Sequence, residues 1–363
     1  LKRARVAFLR LPVARPPERF MTAERSPSAS DTLALPGGAR IARVGTDASP
    51  AAIGRLLGSS RAPAAPPRIR AFLEHAREQR VPLTDFFALY RDHIPEAAVL
   101  LVPGAGRTAM LFASEPPERT APGSGDRLQE AAAMIRHAYE RCAEPGTLVQ
   151  ALPEPGRGNI EALLAAAGFQ FLADISYLER PLAPKRLPAA ATWPSGIDVR
   201  PWNGTDRRLI TDLLQETYID TLDCPKLHGL RAVDDILDGH LQTGRCDPAL
   251  WTILHCDGSP CGLMLINPSG SGDTAELVYV GLVPKARGHG LGRQLLRHGL
   301  HLATGATLRT MTLAVDDANE PATELYRSEG FRRIARRRAW IHLRRHRDTP
   351  RPNGAHTEPS NRT

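Results

Sequence analysis

Lysine is almost missing from this 363-residue chain: only four of its 47 basic residues are lysines, and arginine supplies the rest. Such a bias follows from GC-rich coding as readily as from any ligand. Aromatic residues are scarce at 5%. The net charge of +8 therefore admits anionic partners such as phosphates, but it lacks the stacking groups that would turn a basic surface into a nucleic-acid site. The five cysteines, Cys142, Cys224, Cys246, Cys256 and Cys261, form no CxxC pair. Their odd number and spacing argue against a disulfide framework or a zinc centre, and no metal is expected. Cys256 and Cys261 flank the turn DGSP, where they would face each other across a hairpin; in a reducing compartment they are read as free thiols. No apolar run approaches the ~20 residues that cross a bilayer. The opening stretch LKRARVAFLRLPVARPPERF is broken by Arg10 and Pro12 and does not read as a secretory signal. Met21 is the more natural start, and a cytoplasmic location is the default expectation.

What is present has a clear organisation. Proline, glycine and serine collect in ERSPSASDTLALPGG and again in RPLAPKRLPAAATWPSG, which reads as an interdomain linker. The expected division is a disordered leader over 1–37, a domain over 38–182, a linker over 183–195, a second domain over 196–345 and a disordered tail over 346–363. The second body begins with a strand-like IDVRPW and a helix after Asp206, with Leu209, Ile210, Leu213 and Leu214 at helical spacing. A polar loop and a second helix follow, then a hairpin around Asp257–Gly258, then strand, glycine loop, helix, strand, helix and strand. This order predicts a mixed α/β fold.

The first body ends in the same order as the second: strand, helix, Gly–Phe, strand. Gly168–Phe169 lies 162 residues before Gly330–Phe331, and AAVLLVPGAGRTAMLFASEP matches the hairpin at 249–269 in outline. An internal duplication is the simplest account. The copies differ at two places. The first has no counterpart of RGHGLG, and Leu164 stands where the second has Tyr326.

The stretch VPKARGHGLG places three glycines between a strand and a helix. A helix N-terminus presents unpaired N–H groups and the positive end of its dipole, and glycines let an anion approach them closely. Gly288, Gly290 and Gly292, with Arg287 at the rim, suit a pyrophosphate. Gly292 is followed by Arg293, not by the Lys-Ser/Thr of a Walker loop, and the even GxGxG spacing is not the dinucleotide GxGxxG.

These residues resemble the GNAT family of acyl-CoA-dependent N-acetyltransferases. Arg287, Gly290 and Gly292 match its Gln/Arg-x-x-Gly-x-Gly/Ala signature, and Val283 and Pro284 match the end of the strand before it, with the valine one place late. Leu313, Val315 and Asn319 match the next block, and Ala322, Leu325, Tyr326, Gly330 and Phe331 the last. The resemblance covers roughly 196–345. In layout the chain resembles two-module acetyltransferases of the mycothiol synthase type, with a degenerate N-terminal GNAT-like domain; that acceptor is not carried over.

The resemblance implies acetyl-CoA as cosubstrate and an amine as acceptor. The backbones of Val280, Leu282 and Val283 would meet the pantetheine arm. The segment Arg287, Gly288, His289, Gly290, Leu291, Gly292 and Arg293 would hold the pyrophosphate. Asn319 would hold pantetheine or cap its helix. Tyr326 takes the position of the acid that protonates the leaving thiolate. Glu276 is the candidate base, with His255 as an alternative. Strand alternation places Glu276, Val278 and Val280 on one face and Tyr279 on the other. Asp220, Asp223 and His228, in the loop from Tyr218 to Arg231, are candidates for binding a cationic amine. The arginine run from Arg332 to Arg347 is read as a solvated edge strand. Rival readings are a non-catalytic acyl-CoA-binding or regulatory module, a protein N-acetyltransferase, and a nucleic-acid-binding protein.

Overall fold

A computed structural model describes residues 31–45, 49–59, 61–116, 126–270 and 272–344. Its backbone is one continuous 13-stranded sheet. The first half contributes β1 (Thr32–Ala34), β2 (Arg40–Arg43), β3 (Phe86–Arg91), β4 (Ile94–Gly104), β5 (Thr108–Ala113), β6 (Leu148–Ala151) and β7 (Gln170–Pro181). The second contributes β8 (Ile197–Pro201), β9 (Trp251–Cys256), β10 (Ser259–Pro268), β11 (Thr274–Leu282), β12 (Thr310–Asp316) and β13 (Arg332–Leu343). β1 lies inside the stretch assigned to the leader and pairs with β2. Residues 1–30 and the tail 346–363 fall outside the described residues.

The spatial order is β1-β2-β3-β4-β5-β6-β13-β7-β12-β11-β10-β9-β8. The two final strands have exchanged places. β13, the end of the second half, pairs with β6 of the first, and β7, the end of the first half, pairs with β12 of the second. β13 and β7 also pair with each other. The arginine-rich strand is therefore central, and the edge-strand expectation is corrected. Three of its arginines are ion-paired: Arg336 reaches Asp317 at 2.7 Å, Arg337 reaches Glu154 at 3.3 Å, and Arg338 pairs with Glu161.

Eight helices flank the described sheet: α1 (Pro50–Leu57), α2 (Pro66–Glu78), α3 (Arg127–Cys142), α4 (Gly158–Ala166), α5 (Arg207–Tyr218), α6 (Val233–Gln242), α7 (Leu291–Gly305) and α8 (Glu320–Ser328). Side-chain caps start three of them, with Asp126 Oδ1 accepting from Leu128 N, Asp206 Oδ1 from Leu209 N and Asn319 Oδ1 from Ala322 N. In the second half, α5 and α6 cover one sheet face over Trp251, Ile253, Leu263 and Leu265. α7 and α8 cover the other over Met264, Ile266, Ala275 and Leu277. Gly299 lets α7 approach β10, since a Cβ there would lie 2.5 Å from Met264 Sδ.

Both halves contain one parallel pair, β5 with β6 and β11 with β12, each hydrogen-bonded over only three positions. This register refines the duplication. β5 corresponds to β11, so the hairpin AAVLLVPGAGRTAMLFASEP corresponds to β10–β11, and the hairpin at 249–269 is the counterpart of β3–β4. Cys256 and Cys261 are joined as a disulfide across the β9–β10 hairpin, with Cα atoms 5.8 Å apart. This corrects the free-thiol reading: a one-residue bulge before Gly262 brings Cys261 over beside Cys256.

A chain starting at residue 183 would lack β7 and leave β12 and β13 without their shared neighbour. That fragment is expected to be insoluble or unfolded in size-exclusion chromatography and circular dichroism, while the full chain is neither. A soluble, cooperatively folding fragment would show that β12 does not require β7.

Candidate active site

β11 and β12 pair at Thr274–Thr310, Ala275–Met311 and Glu276–Thr312, and then separate. Beyond Glu276, β11 keeps its ladder with β10 as far as Leu282, so its other edge faces an open wedge. On the far side of the wedge, Ala314 is exposed although it lies in an inner strand. The open edge spans Leu277 to Gly281, including Val280, and at Leu282 the carbonyl accepts from Arg287 Nε. Val283 stays with β10: its amide donates to Cys261 O at 3.0 Å, and its carbonyl accepts from Ala286 N at 2.9 Å.

The glycine loop lies at the mouth. Gly288 and Gly290 have φ of 80° and 76°, a left-handed backbone that favours glycine, and Gly290 is the N-cap of α7. The Arg287 amide already donates to Pro284 O. Among the described residues, the amides of Gly288, His289, Gly290, Leu291 and Gly292 have no hydrogen-bond acceptor. Those five donors at the positive end of α7 form an anion cradle. No Cβ contact within 4 Å restricts Gly288 or Gly290. A pocket of about 360 Å³ beside the loop is lined by Trp193, His289, Gly290, Leu291 and Gln294, among others.

The flanking arginines are occupied elsewhere. Arg287 donates from Nε to Leu282 O at 3.0 Å and from Nη2 to Thr217 O and Ile219 O at 2.9 and 2.7 Å. It ties the loop to the last carbonyls of α5, where a cation also suits the helix dipole. Arg293 and Arg297 both bind the buried Glu329 carboxylate, at 2.6 and 2.9 Å. The two arginines hold that carboxyl below its usual range despite its burial. Asn319 caps α8, so its side-chain oxygen is committed to the helix start.

On β11 the structure corrects the alternation. A bulge pairs Leu265 with Tyr279 but Ile266 with Leu277, so the faces switch between them. Glu276 lies opposite Asn267, whose side chain binds Trp251 Nε1, His240 O and Thr243 O on the α5/α6 side. Tyr279 lies opposite Leu265 on that same side. Val280 and Leu282 are turned to the α7 side. Glu276 and Tyr279 therefore share a face, and Val280 does not.

Several acidic and phenolic groups converge there. Burial pushes the Glu276 carboxyl up to about 7. Tyr279 shares a 2.9 Å hydrogen bond with Thr217 Oγ1, packs edge-on against Tyr218, and is raised to about 12 chiefly by burial. Tyr326 is 7% exposed, stands edge-on to Phe331, and is held protonated far above neutrality by burial, with the nearby Asp223 charge adding to the effect. Asp223 is open to solvent, yet the concave wall around it strips enough water to raise its carboxyl; its Oδ1 accepts from Asp316 N at 3.1 Å.

The other sequence candidates lie apart from this group. Asp220 offers its carbonyl to Arg287, and His228 is exposed on the loop. His255 lies on β9, two strands from β11, and burial lowers its pKa. Sequence reasoning missed His240, buried beside the Tyr279 ring and lowered to about 4. Only its helical position facing the core could have signalled it.

Comparison with known proteins gives the family and the fold. Residues 211–331 match the acetyltransferase (GNAT) family model. The chain is 32% identical over 216 residues to the mycothiol acetyltransferase of Thermomonospora curvata, covering 56% of this chain and 70% of that protein. It is 30% identical over 191 residues to the one from Thermobifida fusca, covering 47% and 57%. A GCN5-related N-acetyltransferase from Sphaerobacter thermophilus has a similar fold, with a TM-score of 0.56 at 20% identity, covering 86% of this chain and 97% of that one.

The raised Glu276 carboxyl has a consequence for stability. Its folded pKa of about 7 exceeds the ordinary 4.5, so the folded state binds the proton more tightly and stability falls as pH rises through that interval. Glu276→Gln removes the charge that burial penalises. Its melting temperature is expected to exceed that of the wild type at about pH 8, with a smaller difference at about pH 5, by differential scanning fluorimetry. An equal difference at both pH values would place Glu276 in ordinary solvent.

Proposed function

The chain belongs to the GNAT acetyltransferase family and is an N-acetyltransferase; from that premise we propose that the wedge between β11 and β12 is its working site and that the acceptor is the primary amine of a small molecule. The observation that supports this most is the coincidence of two features. β11 has an unpaired edge from Leu277 to Gly281, and five free amides lie where that edge ends, at the start of α7. An extended pantetheine arm takes the place of a missing strand, and the pyrophosphate takes the amides of Gly288 to Gly292. The arginines that the sequence offered for phosphate binding, Arg287 and Arg293, brace the loop instead, and their own cradle role is confined to shaping it.

Acetyl-CoA supplies an activated thioester; the chain supplies the proton handling. An amine arrives protonated and must lose a proton before it can attack. Glu276, with a pKa of about 7, is close enough to neutral to accept that proton and then release it. Tyr326, protonated throughout the neutral range, donates its phenolic proton to the departing thiolate. Asp223 holds the acceptor's positive charge at the open end. The named relatives support a small acceptor, because their printed name specifies mycothiol and not a protein.

Three measurements test this reading. Calorimetry is expected to show acetyl-CoA binding by the intact protein and its loss in Gly290→Glu, which places a carboxylate in the anion cradle. No binding by the intact protein would remove the wedge as a CoA site. For amines such as glucosamine, putrescine and a short peptide with a free N-terminus, product is read by mass spectrometry. Tyr326→Phe is expected to lower kcat by about 10²-fold with little change in KM, the usual weight of a general acid. kcat/KM should rise with pH through about 7 as Glu276 loses its proton, and that limb should vanish in Glu276→Gln.

A further inference from the structure

We infer that Tyr177, together with Glu179, forms part of the acceptor site, so that the N-terminal half supplies residues to the cleft of the C-terminal half. This rests on the reading of the β11–β12 wedge as the acetyl-transfer site. β7 runs beside β12 for its whole length, with Glu179 opposite Thr312 and Tyr177 opposite Ala314. Thr312 is itself opposite Glu276. Residues opposite one another in a ladder point to the same face. Glu179, Thr312 and Glu276 thus form one row across the sheet, and Tyr177 stands one step further along, above the exposed Ala314.

The Tyr177 hydroxyl has no hydrogen-bond partner among the described residues; burial raises it to about 12, with the Arg337 charge opposing the shift and the Glu276 charge adding to it. A phenol so placed is a protonated donor beside the candidate base at neutral pH. Its recognition chemistry suits a hydroxyl or carbonyl oxygen next to the amine of the acceptor, and Glu179 adds a carboxylate for the amine end or for further hydroxyls.

The duplicated half provides an internal control. By the 162-residue offset, Tyr177 corresponds to Ala339 and Glu179 to Ile341, both on β13, the strand exchanged into the first half. By strand register Glu276 corresponds to Met110, which pairs with Gln150, and Tyr326 corresponds to Leu164. The first cleft is thus lined by Met110, Leu152 and Leu164 beside the charged Arg68, Glu154, Arg157 and Arg337, with Ala339 and Ile341 buried on the adjoining β13. The four polar groups of the second cleft all have apolar counterparts. Two of those polar groups are encoded in the half whose own cleft has apolar residues at the matching positions, which is unexpected for side chains that merely pack and is explained if β7 serves the other half.

The test uses the full chain and glucosamine as amine probe, with ethanolamine and propylamine compared. Tyr177→Phe is expected to raise KM for glucosamine by about tenfold, the loss of one hydrogen bond to a bound polar group, and to leave the Kd for acetyl-CoA and the melting temperature unchanged. The loss should be smaller for propylamine, which has no hydroxyl. Ala339→Ser, the matching site of the other cleft, should leave all three quantities unchanged. An unchanged amine KM in Tyr177→Phe, or an equal loss for propylamine, overturns the inference while acetyl transfer stands. A wild-type enzyme that binds acetyl-CoA but acetylates none of the amines is evidence against the amine-transfer reading, and the inference falls with it.

Discussion

The exchange of β7 and β13 is the constraint on which the rest of the molecule depends. A strand in the middle of a sheet needs partners for its backbone groups on both sides. β12 is bonded to β7 at seven positions but to β11 at only three. Because β7 supports it throughout, β12 can leave β11 after Thr312 without becoming a loose edge. The wedge therefore stays open without a ligand to hold it. The same relation between β13 and β6 holds open the corresponding wedge of the first half. The loop between α5 and α6 adds to this joint, with Cys224, Leu227 and Leu230 packing on strands from both halves.

Charge in the second half is divided between bracing and chemistry. Arg287 and Arg293 bond to protein oxygens and set the loop's shape, while the bare amides remain for an anion. The division has a physical basis. A guanidinium with four carbonyl partners is held in one place and stiffens the loop, whereas amides at a helix start keep a fixed direction without any side-chain ordering cost. On the other side of β11 the carboxyls face the opposite situation. Glu276 loses water without gaining a cation, which keeps its proton affinity near neutrality. Glu329 is also withdrawn from water but gains two arginines, which hold it ionised. Burial alone does not distinguish a working carboxylate from a supporting one; the presence of a cation does.

Much of this was legible in the residues. The duplication was visible in two Gly–Phe pairs at a fixed offset. The order of elements in the second half, the helix after Asp206, the turn at Asp257–Gly258 and the cap at Asn319 are where local pattern places them. The glycine loop and its strand and helix announced an anion site, because what glycine permits there depends only on the few residues around it. Legibility failed where a distant partner decided. The alternation from Glu276 to Val280 is broken by a bulge that arises against β10. The run from Arg332 to Trp340 looks like a solvated edge until Asp174, Asp317 and Glu161, which come from other elements, are placed beside it.

The sequence by itself determined the family, the tandem layout and the glycine loop at the start of a helix, since these rest on short-range patterns of glycine, hydrophobic period and capping. Only the tertiary structure decided that the two halves exchange their last strands, that Tyr279 joins Glu276 on one face, and that Tyr177 and Glu179 lie beside β12 of the other half. Nothing in the local sequence encodes these relations. A ladder is chosen by competition among all available edges, and a strand such as β7 has the same residues and period whichever neighbour it pairs with.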